Sequence, residues 1–266
     1  MSIGLSTYAF FWQWQPTLPN PLSLDDMLEA TAALGVTVFQ ICDYSAIESF
    51  DDEQLADVRE RADALGIELE LGTRGVHPAH LQRYLTLAAK LNVHLVRSML
   101  YSATSRPTPA EAVEQLREVA VEYEAAGVAL ALETYEQVSS TVLVEIVAAV
   151  GNPVVGICSD PANCVAALEL PADVIARVAP FVNNMHIKDF AFTRQEGWVG
   201  FSLVGAPMGE GLLDYDAMVA AIEPDARGIN QIIEHWLPWQ GDAATTRDLE
   251  AAWTAHNVHY LRSRNS

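Results

Sequence analysis

The chain is 266 residues long, half of them hydrophobic, and carries a formal net charge of −20. That length and apolar share suit one α/β domain with a sizeable core, whereas only 15 scattered Lys and Arg exclude the cation clusters that grip nucleic acid or an anionic membrane. No run approaches the ~20 apolar residues of a membrane span, no basic-then-apolar leader is read at Met1–Ser6, and the three cysteines form no CxxC pair, so a cytoplasmic protein without a disulfide framework is expected.

Short hydrophobic runs alternate with amphipathic stretches throughout. The first strand is read at Ile3–Ser6. An aromatic segment follows, Tyr8-Ala9-Phe10-Phe11-Trp12-Gln13-Trp14, which reads as a lid or as a subunit interface of a homo-oligomer, with Trp12 or Trp14 against a bound substrate or a neighbouring chain. The first helix starts at Ser23, an N-cap, and stops before Gly35. Strand two is Val38–Ile41, helix two runs from Asp52 to Leu65 and stops at Gly66, and strand three, Glu68–Leu71, enters a loop holding His77. Helix three covers Ala79–Leu91 and strand four, His94–Met99, contains Arg97.

Pro109 opens helix four, which ends at Ala126 before Gly127. Strand five is Val128–Glu133, helix five Thr141–Val150 and strand six Val155–Asp160. Helix six is split and restarts at Pro171, strand seven is Asn183–Phe190, and a long loop spans Ala191 to Asp214. A helix at Tyr215–Ile222, strand eight at Gln231–Glu234 and a last helix at Thr245–Leu261 complete the pattern. Strand and helix alternating in this way, with short links and no linker or repeat, predict the α/β class and a single (β/α)8 TIM barrel over residues 1–266. A doubly wound open sheet would need a Gly-rich turn after strand one, and none is there.

Four successive strands finish in side chains that can bind a metal or move a proton: Glu133, Asp160, His186 and Glu234. As parallel neighbours their C-terminal ends converge. Hard carboxylate oxygens with one imidazole suit a single divalent ion per chain, Mn²⁺ or Mg²⁺, rather than thiolate-rich zinc chemistry. Lys188, two residues beyond the His, reads as a substrate contact or as a partner of another strand end. Asn163 reads as support for a ligand or as a helix cap. His77 and Arg97 either reach the barrel mouth to bind substrate or serve as a solvated loop histidine and an internal charge partner.

The run from Ala131-Leu132-Glu133 through Ser159-Asp160-Pro161-Ala162-Asn163 and Met185-His186-Ile187-Lys188-Asp189 to Ile233-Glu234-His235-Trp236 resembles the xylose-isomerase-like TIM barrel superfamily of sugar isomerases and epimerases. The resemblance implies that Glu133, Asp160, His186 and Glu234 hold one metal and that Glu133 and Glu234 also transfer protons. Within the superfamily, Ser6-Thr7-Tyr8, Gln40-Ile41-Cys42-Asp43 and Gly200-Phe201-Ser202-Leu203-Val204-Gly205 are similar to the 3-oxo-isoapionate decarboxylase group. Where many relatives place Asn-His after the strand-five Glu, this chain has Thr134-Tyr135.

The first expectation is therefore a divalent-metal-dependent isomerase or epimerase of a keto sugar, working through a metal-stabilised enediolate with Glu133 and Glu234 as acid and base. Its alternative is a lyase that decarboxylates a 3-oxo sugar acid or cleaves a 3-keto C-glycoside, since the same enolate arises. A multi-zinc DNA-repair endonuclease and a non-catalytic sugar-binding protein stand further off. Strand eight leads into Glu234-His235-Trp236-Leu237-Pro238-Trp239, which suits a sugar face, and Glu210 would repel a phosphate, so the small-molecule partner is expected to be an unphosphorylated keto sugar or sugar acid.

Overall fold

The helices begin where the sequence supplies caps. Ser23, Asp51 and Thr108 each close a capping box, and Gly66, Gly127 and Gly151 end their helices in the left-handed conformation. The computed structural model describes residues 2–264. In chain order the strands are β1 (Ile3–Ser6), β2 (Val38–Cys42), β3 (Glu68–Arg74), β4 (Leu95–Met99), β5 (Ala129–Glu133), β6 (Val155–Ser159), β7 (Val182–Ile187), β8 (Asp189–Arg194), β9 (Phe201–Ala206) and β10 (Gln231–Ile233). The helices are α1 (Leu24–Ala33), α2 (Asp52–Leu65), α3 (Pro78–Leu91), α4 (Pro109–Ala126), α5 (Ser140–Val150), α6 (Pro161–Cys164), α7 (Pro171–Val178), α8 (Tyr215–Ile222), α9 (Pro224–Arg227) and α10 (Ala243–Arg264).

The strands close in the order β1-β10-β7-β6-β5-β4-β3-β2, every pair parallel, with helices between them, which is the expected single TIM barrel of the α/β class. Strand alternation divides the side chains between two environments. Phe39, Ile41, Leu69, Leu71, Met185 and Ile187 join the apolar core. Their neighbours Gln40, Glu70, Asn184 and His186 meet one another across the barrel axis, β2 reaching β7 with β1 and β10 lying between them.

Two expectations are corrected. Strand seven does not run to Phe190: the barrel strand stops at Ile187, and Asp189 starts a new one. The stretch read as a long loop from Ala191 holds the antiparallel hairpin β8–β9, which stands outside the barrel. Phe192, Trp198, Val199 and Phe201 on this hairpin are largely exposed, so it lacks the buried alternation by which a strand is recognised in a sequence. Strand three is also longer than expected, taking in Gly72, Thr73 and Arg74, and the last helix runs from Ala243 to Arg264. Asp189 ties the hairpin to the next loop, accepting hydrogen bonds from the backbone N–H groups of Gly209, Gly211 and Leu213.

The base of the hairpin packs directly on the chain beyond β10, where the Gly205 N–H donates to the Trp236 carbonyl at 3.1 Å. A Cβ at Gly205 would lie 2.7 Å from the Trp236 backbone. Gly205→Ala is therefore expected to lower stability by ~1–3 kcal/mol, as overpacking does, measured by denaturant unfolding. An unchanged midpoint would show that the hairpin is not held by this contact.

Candidate metal centre and substrate cleft

Each candidate ligand is placed by the end of a barrel strand. Glu133 is the last residue of β5, Asp160 follows β6 and caps α6, His186 lies in β7, and Glu234 follows β10. These strands are adjacent in the barrel, and all four side chains are buried. Ligand atoms of Glu133, Asp160 and His186 lie within 4.8 Å of one another. His186 Nδ1 is 3.6 Å from Glu133 Oε1, 3.7 Å from Asp160 Oδ2 and 3.5 Å from Glu234 Oε2.

Among the described residues that nitrogen has no hydrogen-bond partner, while Nε2 meets Gln40 Oε1 at 2.9 Å. A buried imidazole nitrogen aimed at three carboxylates and bonded to none of them has the disposition of a metal ligand, and the hard oxygen donors around it suit a divalent ion. In the protein alone, burial opposes an imidazolium, but the negative surroundings, Glu234 and Asp160 among them, outweigh it and hold the His186 pKa well above its ordinary value. Burial would likewise raise Glu133 and Glu234. Arg97 and His186 overcome it for Glu133, His186 and Lys188 for Glu234, and both carboxyls stay below the usual range.

Four neighbours hold the carboxylates in place. Arg97 Nε lies 2.8 Å from Glu133 Oε2, and its Nη1 donates to the Thr73 carbonyl. Asn163 Nδ2 donates to Glu133 Oε1 at 2.8 Å and Asp160 Oδ2 at 3.0 Å, so it supports two candidate ligands from the first turn of α6. The Lys188 ammonium sits 2.7 Å from Asp160 Oδ2 and 3.3 Å from Glu234 Oε2, with the Trp236 ring 4.2 Å away. The Ser6 hydroxyl donates to Glu234 Oε1 at 2.9 Å, a contact the sequence did not single out as part of the site. Thr134 and Asp160 lock each other across β5 and β6 through the Thr134 hydroxyl, and the Tyr135 hydroxyl accepts from the Tyr101 N–H; neither Thr134 nor Tyr135 lines the cleft.

A cavity of about 230 Å³ opens on these groups, walled by Tyr8, Arg97, Met99, Asn163, Lys188 and Trp236. An outer cavity of about 420 Å³ includes Phe11, Trp14, Thr73 and His80 and shares Tyr8, Asp43 and Arg74 with the inner one. Asp43 holds the shared wall: Arg74 and the Tyr8 hydroxyl both donate to its carboxylate. Its backbone takes the left-handed φ of +51°, which a non-glycine residue seldom adopts. No signal in the sequence marked Asp43 or Arg74 as wall residues, because their meeting depends on β2 and β3 pairing.

The structure separates the remaining candidates. Trp12 lines neither cavity; its Nε1 donates to the Leu237 carbonyl and its ring packs on Trp239. Trp14 is the indole that faces the outer cavity. His77 is an exposed residue at the start of α3 and lines neither cavity, whereas His80, three residues on, lines the outer one and contacts the Thr73 hydroxyl at 2.7 Å.

Helix α10 clamps the aromatic segment from behind. Glu250 accepts from the backbone N–H groups of Trp12 and Gln13, while Arg247 donates to the carbonyls of Trp12, Gln13 and Pro19. Burial pushes the Glu250 pKa up to about 7.

Comparison with known proteins adds three findings. The family model described as xylose isomerase-like TIM barrel matches residues 28–263. The 3-oxo-isoapionate decarboxylase of Pectobacterium atrosepticum is 56% identical over 265 residues, covering 100% of this chain and 96% of that protein. Among solved structures, D-psicose 3-epimerase with D-tagatose from Clostridium cellulolyticum superposes with a TM-score of 0.75 at 16% identity, covering 99% of each chain. A xylose isomerase-like TIM barrel protein from Mycobacterium smegmatis in complex with magnesium does so with a TM-score of 0.70 at 17% identity, covering 97% of each. At such identities the structural matches speak for the fold.

Two measurements test the site. Calorimetric titration with Mn²⁺ is expected to give one ion per chain, with affinity at least ~10²-fold lower in His186→Ala, since even outer partners of a ligand are worth ~10–100-fold. Unchanged affinity would remove His186 from the centre. For Glu250, the folded chain retains a proton between the ordinary glutamate value of ~4.3 and the raised value, and the unfolded chain does not. Its contribution to stability is full at low pH and is lost as pH rises through about 7. The thermal-stability advantage of the wild type over Glu250→Gln should therefore shrink from about pH 5 to about pH 8. A constant difference would contradict the raised value.

Proposed function

The chain belongs to the xylose isomerase-like TIM barrel family, and on that premise we propose that it is a divalent-metal-dependent lyase that removes CO₂ from a 3-oxo sugar acid. The observation that carries the reading is the 56% identity, over the whole chain, to a protein named 3-oxo-isoapionate decarboxylase. The isomerase or epimerase expectation gives way to it, because the epimerase structures resemble this chain at a level that speaks only for the fold.

Arg97 and Lys188 line the cavity beside the candidate ligands, and two cations there suit an anionic substrate. Glu133, Asp160, His186 and Glu234 would hold the divalent ion, which when bound supplies Lewis-acid stabilisation of the negative charge that grows on the ketone oxygen. Either Mn²⁺ or Mg²⁺ suits this donor set.

The chain's own groups do the rest. When the bond to the carboxyl carbon breaks, its electron pair becomes the enolate double bond and CO₂ departs neutral. Loss of the carboxylate charge is favoured beside apolar walls, which Met99 and the Trp236 ring provide. The enolate carbon must then receive a proton. Lys188 lines the cavity, and although burial opposes its charge, Asp160 and Glu234 hold it protonated, so it is the acid placed to donate. No carbon-bound proton has to be removed, which frees Glu133 and Glu234 from the acid–base roles an epimerase would require; in this reading they are ligands held ionised by Arg97 and Lys188.

Metal-loaded enzyme in D₂O is expected to release CO₂ from a branched 3-oxo sugar acid, leave deuterium on the carbon that bore the carboxylate, and introduce none into simple ketohexoses. Deuterium entering a ketohexose, with no CO₂ from the acid, would restore the epimerase reading.

A further inference from the structure

A second layer of polar side chains lies beneath the candidate ligands, inside the barrel. Gln40 on β2 and Glu70 on β3 are paired in register, and Asn184 stands two residues before His186 on β7. All three are buried. Glu70 Oε2 accepts from Gln40 Nε2 at 3.0 Å and from Asn184 Nδ2 at 3.1 Å, and Glu70 Oε1 accepts from Asn230 Nδ2 at 2.9 Å. Asn184 Oδ1 accepts in turn from Gln40 Nε2 at 3.2 Å and from the Cys158 thiol at 3.4 Å.

The directions of these bonds leave little freedom. Burial raises the Glu70 pKa, but amide donors occupy both of its oxygens and favour the carboxylate, which only accepts, so the Gln40 amide turns its NH₂ towards Glu70. Its oxygen is then the atom that faces His186 Nε2 at 2.9 Å, and an amide oxygen only accepts as well. The imidazole must therefore carry a proton on Nε2. A metal-bound imidazole is neutral and has one N–H, so once an ion displaces the proton that the carboxylates favour, it is Nδ1, the nitrogen that faces Glu133, Asp160 and Glu234, that offers its lone pair.

We propose that Glu70 is a positioning residue which, through Gln40, sets the tautomer of His186 and so readies Nδ1 to bind a divalent cation. The inference rests on reading His186 as a metal ligand. It explains why a carboxylate that touches neither cavity stands inside the barrel with every contact an amide donor. The charge is one residue removed from the imidazole, and the amide between them transmits an orientation rather than a proton.

Exchange of the two side chains tests it. In Glu70→Gln the new amide can present its oxygen to Gln40, Gln40 can turn over, and the tautomer is no longer imposed. Calorimetric titration is expected to show Mn²⁺ binding ~10–100-fold weaker, the usual effect of losing an outer partner of a metal-bound histidine. In the double variant Glu70→Gln/Gln40→Glu, the carboxylate stands next to the imidazole and again accepts from Nε2, so affinity should return to within about threefold of the wild type. Gln40→Met, which removes the relay without moving a charge, should be as weak as the single Glu70→Gln. In the Mg²⁺-loaded wild type, nitrogen-edited NMR of labelled histidine should show a slowly exchanging Nε2 proton on His186 that exchanges faster in Gln40→Met.

Wild-type affinity in folded Glu70→Gln would overturn the proposal, as would a folded double variant that stays as weak as the single one, because damage to packing alone predicts no rescue. If the wild type itself bound no Mn²⁺ and His186→Ala made no difference, the metal reading would fail and the proposal with it. That outcome is distinguishable, since it appears in the wild type and in His186→Ala, whereas failure of the proposal alone leaves wild-type Mn²⁺ binding intact and appears only in the Glu70 and Gln40 variants.

Discussion

Three buried carboxylates gathered around one imidazole nitrogen set the electrostatic problem that the mouth of this barrel has to solve. Like charges ~4 Å apart repel by ~4 kcal/mol even at the effective dielectric of a protein surface. Parallel closure of the sheet forces the encounter, because the ends of β5, β6, β7 and β10 are neighbours whatever those ends carry. The chain answers with cations and donors aimed at specific oxygens: Arg97 on Glu133, Lys188 between Asp160 and Glu234, Asn163 across two carboxylates, and Ser6 on Glu234. The imidazole nitrogen without a partner among the described residues is where a further cation would bind. In this arrangement stability and function share a cause, since the charges that would destabilise the bare protein are those that would hold the ion.

The cleft is built on a different principle. Its aromatic wall comes from a segment with little secondary structure beyond a short 3-10 turn at Thr7–Phe10, and such a segment has backbone groups to satisfy. Helix α10 supplies the partners, with Glu250 taking N–H groups and Arg247 taking carbonyls from adjacent turns of the same helix. The placement of Tyr8, Phe11 and Trp14 at the cavities thus depends on a helix more than two hundred positions away in sequence. Asp43 does the equivalent work on the opposite side, drawing Arg74 and Tyr8 together across three strands. The hairpin β8–β9 closes the rim over Trp236, and its close approach at Gly205 needs a residue without a side chain.

Much of this could be read from the sequence because it depends on local chemistry. Alternating apolar runs, N-caps at Ser23, Asp51 and Thr108, and glycines at helix ends are decided by a few neighbouring residues, and a strict strand–helix alternation leaves a parallel barrel as the economical closure. That closure is also why Glu133, Asp160, His186 and Glu234 could be assigned to one place: each lies at or beside the C-terminal end of a strand, and parallel strands end together. The short segments around Glu133, Asp160, His186 and Glu234 carried the family resemblance for the same reason.

What the sequence could not decide is how side chains from distant strands choose among competing partners. Trp12 and Trp14 are indistinguishable as letters, and only packing against Leu237 and Trp239 turns one away from the cavity that the other faces. His77 and His80 differ by one turn of α3, which leaves the first exposed and places the second at the outer cavity. Gln40 and Glu70 look like polar interruptions of two core strands until the barrel closes and brings them under His186 from across its axis. The hairpin escaped notice because its apolar residues face outward, so burial never imposed the period by which a strand announces itself. Local sequence determined the elements and the residues at their ends. Three-dimensional closure determined the hydrogen-bond directions between them, since a donor's choice of acceptor exists only once both have been brought within reach.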